Sequence, residues 1–158
     1  MRAAEASVTV ALESPRQPEV DEMLRGSEAY SYSLYPPEAC FLLDVESLER
    51  PGVAFYVARG DVGEALGMGA LVDGVDGTAE LKRMFVHESA RGRRVGTSII
   101  ERIEQDASAR GIRRIVLETG TRHDAAQAMY AKAGYEVVPL FGQYVGEEFS
   151  VCMAKNLG

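Results

Sequence analysis

Three arginines occupy four positions at Arg91, Arg93 and Arg94, inside the stretch ARGRRVGTSIIERIEQ. Within a turn the same stretch takes on helical spacing, with Val95, Ile99, Ile100, Ile103 and Ala107 on one stripe. The first turn of a helix carries unbonded amides and the positive end of the helix dipole, so it already favours negative charge. Cations added at that point make sense if an anion sits there, and a phosphate is the usual guest. Gly92 and Gly96 let the backbone close around such a ligand. The spacing alone leaves a second reading open, a solvated basic loop in which Gly96 serves helix packing. The Lys-Ser/Thr pair of a P-loop is absent.

The elements that must position this loop can be read on either side of it. Residues 6–12 alternate and are β-branched, which predicts a first strand. A helix is expected over residues 19–35 and is stopped by Tyr35-Pro36-Pro37; one more helical turn is expected at 44–48. Residues 53–59, 65–72 and 79–86 read as three antiparallel strands, the last two joined by the hairpin signal DGVDG. The basic loop and its helix follow, then a strand at 112–118, an alanine-rich helix at 124–133, and strands at 135–138 and 149–154. The helix between the strands ending at Val86 and starting at Ile112 requires those two strands to run parallel.

Composition narrows the classes. The 158 residues suit one domain spanning 1–158, and the net charge of −7 argues against a nucleic-acid partner. No apolar run is long enough for a leader peptide or a membrane span, so a cytoplasmic protein is expected. Cys40 and Cys152 lack metal-type or redox spacing, and with only His87 and His123 no metal site is expected.

The segment VHESARGRRVGTSIIERIEQDA resembles the pyrophosphate-binding motif of the GNAT N-acetyltransferases, Gln/Arg-x-x-Gly-x-Gly/Ala. Arg91 matches its first position, Arg94 stands at the first glycine and Gly96 at the second. An arginine at a glycine position predicts a loop conformation open to side chains there. AAQAMYAKAGYEVV resembles the family's A-x-x-x-Tyr-x-x-x-Gly-Phe/Tyr segment, and the resemblance runs from about Val8 to Met153. It implies an α+β (mixed α/β) domain: a mostly antiparallel twisted sheet of six to seven strands, one parallel pair splayed around the coenzyme, and about four flanking helices.

The ligand implied by the resemblance is acetyl-CoA. Its diphosphate would lie on Arg91, Gly92, Arg93, Arg94, Val95, Gly96 and Thr97, its pantetheine on the main chain of Met84, Phe85 and Val86, with His123 and Tyr130 alongside. Tyr130 matches the family tyrosine that points at the coenzyme sulfur, a candidate acid for the departing thiolate; its helix face would equally suit a core aromatic. Glu80 is the candidate base, directly or through an ordered water; alternation along 79–86 puts Glu80, Lys82, Met84 and Val86 on one face. Its alternative is a Glu80–Lys82 pair of little consequence.

Tyr30, Tyr32 and Tyr35 on one side, and Phe141 and Tyr144 on the other, are candidate walls for a small-molecule amine acceptor, with Glu147 and Glu148 attracting its charge. The expected activity is acetyl transfer from acetyl-CoA to a primary amine of a small or amino-acid-like acceptor. The alternatives are transfer to protein or peptide amines, a non-catalytic acyl-CoA sensor, or a generic nucleotide-binding domain. The C-terminal strand SVCMAK could pair across a homodimer.

Overall fold

The computed structural model describes residues 7–158; the predicted first strand therefore falls partly outside the described residues, and its visible portion is β1, Thr9–Leu12. The remaining order is α1 (Pro18–Leu34), α2 (Val45–Leu48), β2 (Val53–Arg59), β3 (Ala65–Asp73), β4 (Thr78–Val86), α3 (Val95–Ala109), β5 (Arg114–Gly120), α4 (Asp124–Lys132), β6 (Glu136–Val138) and β7 (Ser150–Asn156). Seven strands form one sheet in the order β1-β2-β3-β4-β5-β7-β6. Every pairing is antiparallel except β4 with β5. The C-terminal strand expected to pair across a dimer is an inner strand, bonded to β5 on one edge and along 152–154 to β6 on the other. Among the described residues no helix is long and apolar enough to cross a membrane.

Local chemistry explains the meander. Asp76 and Gly77 both take positive φ, at 54° and 75°, and reverse the chain so that Gly74 N–H reaches Thr78 O at 2.9 Å. The sheet then buries both faces. On one, Ile99, Ile100 and Ile103 of α3 cover Leu71, Leu81, Ile115 and Leu117. On the other, Val20, Met23 and Leu24 of α1 cover Phe55, Val57, Met68 and Ala70. Each fully buried aliphatic side chain contributes roughly 1.5–3 kcal/mol. The glycines that weaken β3's strand propensity are where α3 approaches closest: a Cβ on Gly69 would stand 2.6 Å from Met84 Sδ and 3.0 Å from Ile99.

One feature of β4 departs from the sequence reading. Phe85 pairs with Met68 but Lys82 pairs with Ala70, so Arg83 and Met84 together oppose Gly69. Arg83 takes up the extra residue with φ 56°, a β-bulge. The expected alternation fails at that point. Glu80 and Lys82 lie on the α1 face, opposite Val72 and Ala70, whereas Met84 and Val86 pack into the α3 core and Phe85 into the α1 core. Arg83 itself turns under α1, where its Nη2 donates to Leu24 O at 3.3 Å.

The bulge also marks where the sheet opens. β4 and β5 are paired only from Thr78↔Arg114 to Leu81↔Leu117. Past that point β4 stays with β3, and β5 stays with β7 through Gly120. The two parallel strands separate with their facing backbone edges unbonded.

Candidate active site

The basic loop folds as an uncapped helix start. Arg94 is the N-cap of α3, and no side chain caps the helix, so the first-turn amides of Val95, Gly96 and Thr97 have no intrahelical partner. Arg94 takes the left-handed conformation (φ 58°, ψ 28°), the region a glycine fills without cost. The expectation of a conformation open to side chains is thus corrected: the loop keeps the glycine-type turn and accepts strain of about 1 kcal/mol. In return a guanidinium stands at the helix mouth, exposed and, among the described residues, paired with Glu101 at 3.9 Å. Arg91 is also exposed. Gly96 is fixed by packing too, since a Cβ there would meet Met129 Sδ at 2.5 Å.

From this mouth a cleft of about 700 Å³ runs through the opening between β4 and β5 to the α1 face. Met84, Phe85 and Val86 line it along the unbonded edge of β4, and Met129 and Tyr130 of α4 along the other side. Tyr130 is 6% exposed; burial first, and then the charge of Glu118, push its hydroxyl well above the usual phenol range. It therefore holds its proton until a strong base appears beside it. His123 accepts from Gly120 N–H through Nδ1 at 3.3 Å, which leaves the proton on Nε2. That N–H is buried, lines the cleft and has no partner among the described residues. Burial lowers the imidazole pKa, so the ring is neutral at physiological pH.

The α1 face of the cleft is polar and aromatic. Lys82 Nζ donates to the Tyr144 hydroxyl at 2.7 Å, and that hydroxyl donates to Glu80 Oε2 at 2.6 Å. Lys82 and Glu80 themselves stand 3.5 Å apart. Burial and the Glu80 bond raise the Tyr144 pKa, so the phenol acts as a fixed link between cation and carboxylate. Two residues from Glu80's partner Val116, and first beyond the last β4–β5 pair, stands Glu118. Ser150 Oγ donates to it at 2.7 Å. Burial pushes its carboxyl up to about 7, with Lys82 pulling down and Glu80 and Glu147 pushing up. Tyr35 covers the end of β5 so tightly that a Cβ on Gly120 would lie 2.0 Å from its hydroxyl, and that hydroxyl accepts from Arg122 N–H at 2.7 Å.

The cleft gathers most of the residues singled out in the sequence: Glu80 and Tyr130, the Met84–Val86 edge, Arg91, Gly92, Arg94, Val95, Gly96, Thr97, His123, Tyr30, Tyr35 and Tyr144. Five do not line it. Arg93 is not among its lining residues, Tyr32 lies on an exposed part of α1, Phe141 backs Tyr144 edge-on at 5.3 Å, and Glu147 and Glu148, expected to attract the amine, lie outside the lining in the segment before β7. Tyr30 stacks on the His123 ring at 5.4 Å, which joins α1 to the N-terminus of α4. Sequence reasoning missed Glu118, Phe41 and Phe149. Glu118 ends the strand expected at 112–118, and a carboxylate on a core strand facing a gap was its only signal. Phe41 reaches the cleft from an irregular segment that carries no periodicity, and Phe149, expected to open the last strand, lies in the turn just before β7 and lines the cleft from there.

A coenzyme fits these residues. Free amides with two arginines suit a diphosphate, the unbonded β4 edge suits the amides of a pantetheine arm, and the His123 Nε2–H is a donor without a partner. Comparison with known proteins agrees. Residues 18–135 match the acetyltransferase (GNAT) family. An "IAA acetyltransferase" of Azospirillum brasilense is 40% identical over 152 residues, covering 96% of this chain and 99% of the relative. An uncharacterized N-acetyltransferase of Bacillus subtilis, YsnE, is 32% identical over 77% of this chain and 82% of its own. Among solved structures, a Klebsiella pneumoniae protein provisionally assigned as an acyl-CoA N-acyltransferase superposes with a TM-score of 0.81 at 28% identity, covering 96% and 98% of the two chains. PaiA N-acetyltransferase of Thermoplasma acidophilum, solved with coenzyme A, shares the fold with a TM-score of 0.73 at 19% identity over 95% and 99%. Sequence match, fold and an open parallel pair beside an uncapped helix together establish that this chain belongs to the acetyltransferase (GNAT) family and is an acyl-CoA-dependent acyltransferase.

Proposed function

We propose that the protein transfers an acetyl group from acetyl-CoA to a primary amine of a small-molecule acceptor, by direct attack in a ternary complex. The observation that carries this reading is the continuity of the cleft: one passage joins the anion-binding mouth of α3 to a face bearing two carboxylates, through the gap beside Tyr130. A thioester held from the α3 end and an amine held on the α1 face would meet in that gap. The small-molecule acceptor is supported by the 40% identical relative, whose name gives IAA as what it acetylates.

The residues divide the work as follows. The amides of Val95, Gly96 and Thr97, with the guanidinium groups of Arg91 and Arg94, hold the diphosphate. The unbonded edge at Met84, Phe85 and Val86, with the Nε2–H of His123, holds the pantetheine arm. Tyr30, Tyr35, Tyr144 and Phe149 wall the acceptor. Tyr130 gives its proton to the leaving sulfur. The amine's proton passes to one of the two carboxylates of that face, Glu80 or Glu118.

The test is incubation with acetyl-CoA and a panel of primary amines, with free thiol as the readout and calorimetry for the binding of acetyl-CoA. Tight binding with thiol release for at least one amine is expected. Binding with no thiol release for any small amine, and release only with peptides, would move the acceptor to the protein class. Binding with no release at all would make the chain an acyl-CoA sensor.

A further inference from the structure

Resting on the amine-acetylation reading above, the geometry points to Glu118 as the proton acceptor of the site, and to a primary alkylamine, cationic in solution, as the acceptor class it serves. Three observations converge on this carboxylate. It is the first residue of β5 beyond the last pair, Leu81↔Leu117, so it stands in the gap itself. Glu80, opposite Val116, lies within the paired part of the two strands.

The two carboxylates also differ in what holds them. Glu80 is bonded by Tyr144 and flanked by Lys82. Glu118 receives one bond, from the neutral Ser150 hydroxyl, and keeps acceptor capacity for an incoming N–H. Its strand neighbour across the sheet is Cys152 of β7, so its free side is the one left open by β4. The charged groups that face it are Lys82, which favours its ionised form, and Glu80 and Glu147, which oppose it. Desolvation outweighs these and leaves the carboxyl near 7, where a base is half ionised at working pH and still basic enough to deprotonate an ammonium in a concerted approach. An arylamine arrives neutral and needs no such group; an alkylamine arrives protonated and does.

The proton ledger balances. Glu118 carboxylate takes one proton from the ammonium. The freed nitrogen lone pair forms the C–N bond to the thioester carbonyl carbon, and the C–S bond breaks with its electron pair on sulfur. Tyr130 donates its proton to that sulfur and recovers one from the nitrogen of the new amide. Glu118 returns its proton to solvent.

The experiment pairs a titration with kinetics. The side-chain carboxyl of Glu118, assigned by its absence in Glu118→Gln, is followed by 13C NMR in the coenzyme-free protein. An inflection near neutrality is expected, and one in the ordinary carboxylate range overturns the inference. Thiol release with acetyl-CoA and tyramine, or whichever alkylamine of the panel is turned over best, is then followed against pH. Glu118→Gln should lose roughly 10²-fold or more in kcat/KM and lose the acid limb of the profile, with acetyl-CoA affinity unchanged and partial rescue by Glu118→Asp. Glu80→Gln should keep the acid limb. An acid limb that survives in Glu118→Gln and disappears in Glu80→Gln overturns the assignment while leaving the transfer reading intact; a wild-type protein that binds acetyl-CoA but acetylates no amine overturns both.

Discussion

Replacing Glu118 by Gln should make the protein more stable at alkaline pH. Folding raises the carboxyl from about 4.5 to about 7, mainly through burial. Between those values the native state binds a proton that the unfolded chain has released, so wild-type stability falls as pH rises from about 4.5 to 7 and is level above that. At 1.36 kcal/mol per pKa unit the shift corresponds to about 3 kcal/mol, an upper figure because water in the open cleft screens the charge. Glutamine keeps the shape and still accepts from Ser150 Oγ, but it carries no charge to bury. The variant and wild type should therefore be nearly equal at pH 5 and diverge to roughly 2–3 kcal/mol by pH 8, with the variant the more stable. Urea denaturation at pH 5, 6, 7 and 8, with a common m-value, isolates the effect, because all other titrating groups cancel in the difference. A difference that stays flat across this range, or a wild type more stable than the variant at pH 8, would refute the claim that burial dominates at this site. The gain in stability with loss of activity is the signature of a group held at an energetic cost for chemistry.

Other perturbations follow from the same geometry. Tyr130→Phe should lower turnover by roughly 10²-fold or more while acetyl-CoA affinity by calorimetry stays within about twofold; an unchanged rate would remove the hydroxyl from proton transfer. Arg94→Gly should relieve the left-handed turn and stabilise by up to about 1 kcal/mol in a thermal melt, yet weaken coenzyme binding and flatten its dependence on salt; a less stable variant would contradict the strain argument. Tyr144→Phe removes the link between Lys82 and Glu80 and should cost about 1–3 kcal/mol by denaturation, with the acceptor KM rising more than kcat falls. Ile103→Ala empties a site packed by both α3 and the sheet and should cost about 2–5 kcal/mol with little change in coenzyme affinity.

Much of this arrangement can be read directly from the order of residues. A continuous apolar run over 53–58, alternation over 79–82, and period 3.6 after Val95 identify the meander and the helix beside the basic loop; a helix between two strands forces them parallel. Arg91, Gly92 and Gly96 announce an anion site because helix termini have fixed, local chemistry that depends only on neighbours in the chain. The roles proposed for Tyr130 and Glu80 come from the resemblance, residue by residue.

What the chain order could not reveal are the consequences of elements meeting. The alternation along β4 breaks at Arg83 because β3 and β4 accommodate one extra residue opposite Gly69, a fact of pairing that no single strand contains. The partnership of Lys82, Tyr144 and Glu80 joins residues 62 and 64 positions apart, and such contacts follow from where a loop lands on a sheet. The altered acidity of Glu118 has the same origin. Its own sequence neighbours are unremarkable in charge; the carboxyl is shifted because β4 leaves β5 at Leu117 and α1, α4 and β7 close over the gap, and burial is a property of the assembled layers. Periodicity and end chemistry are local and therefore written in the sequence, whereas bulges, desolvation and long-range pairs exist only once the sheet is folded.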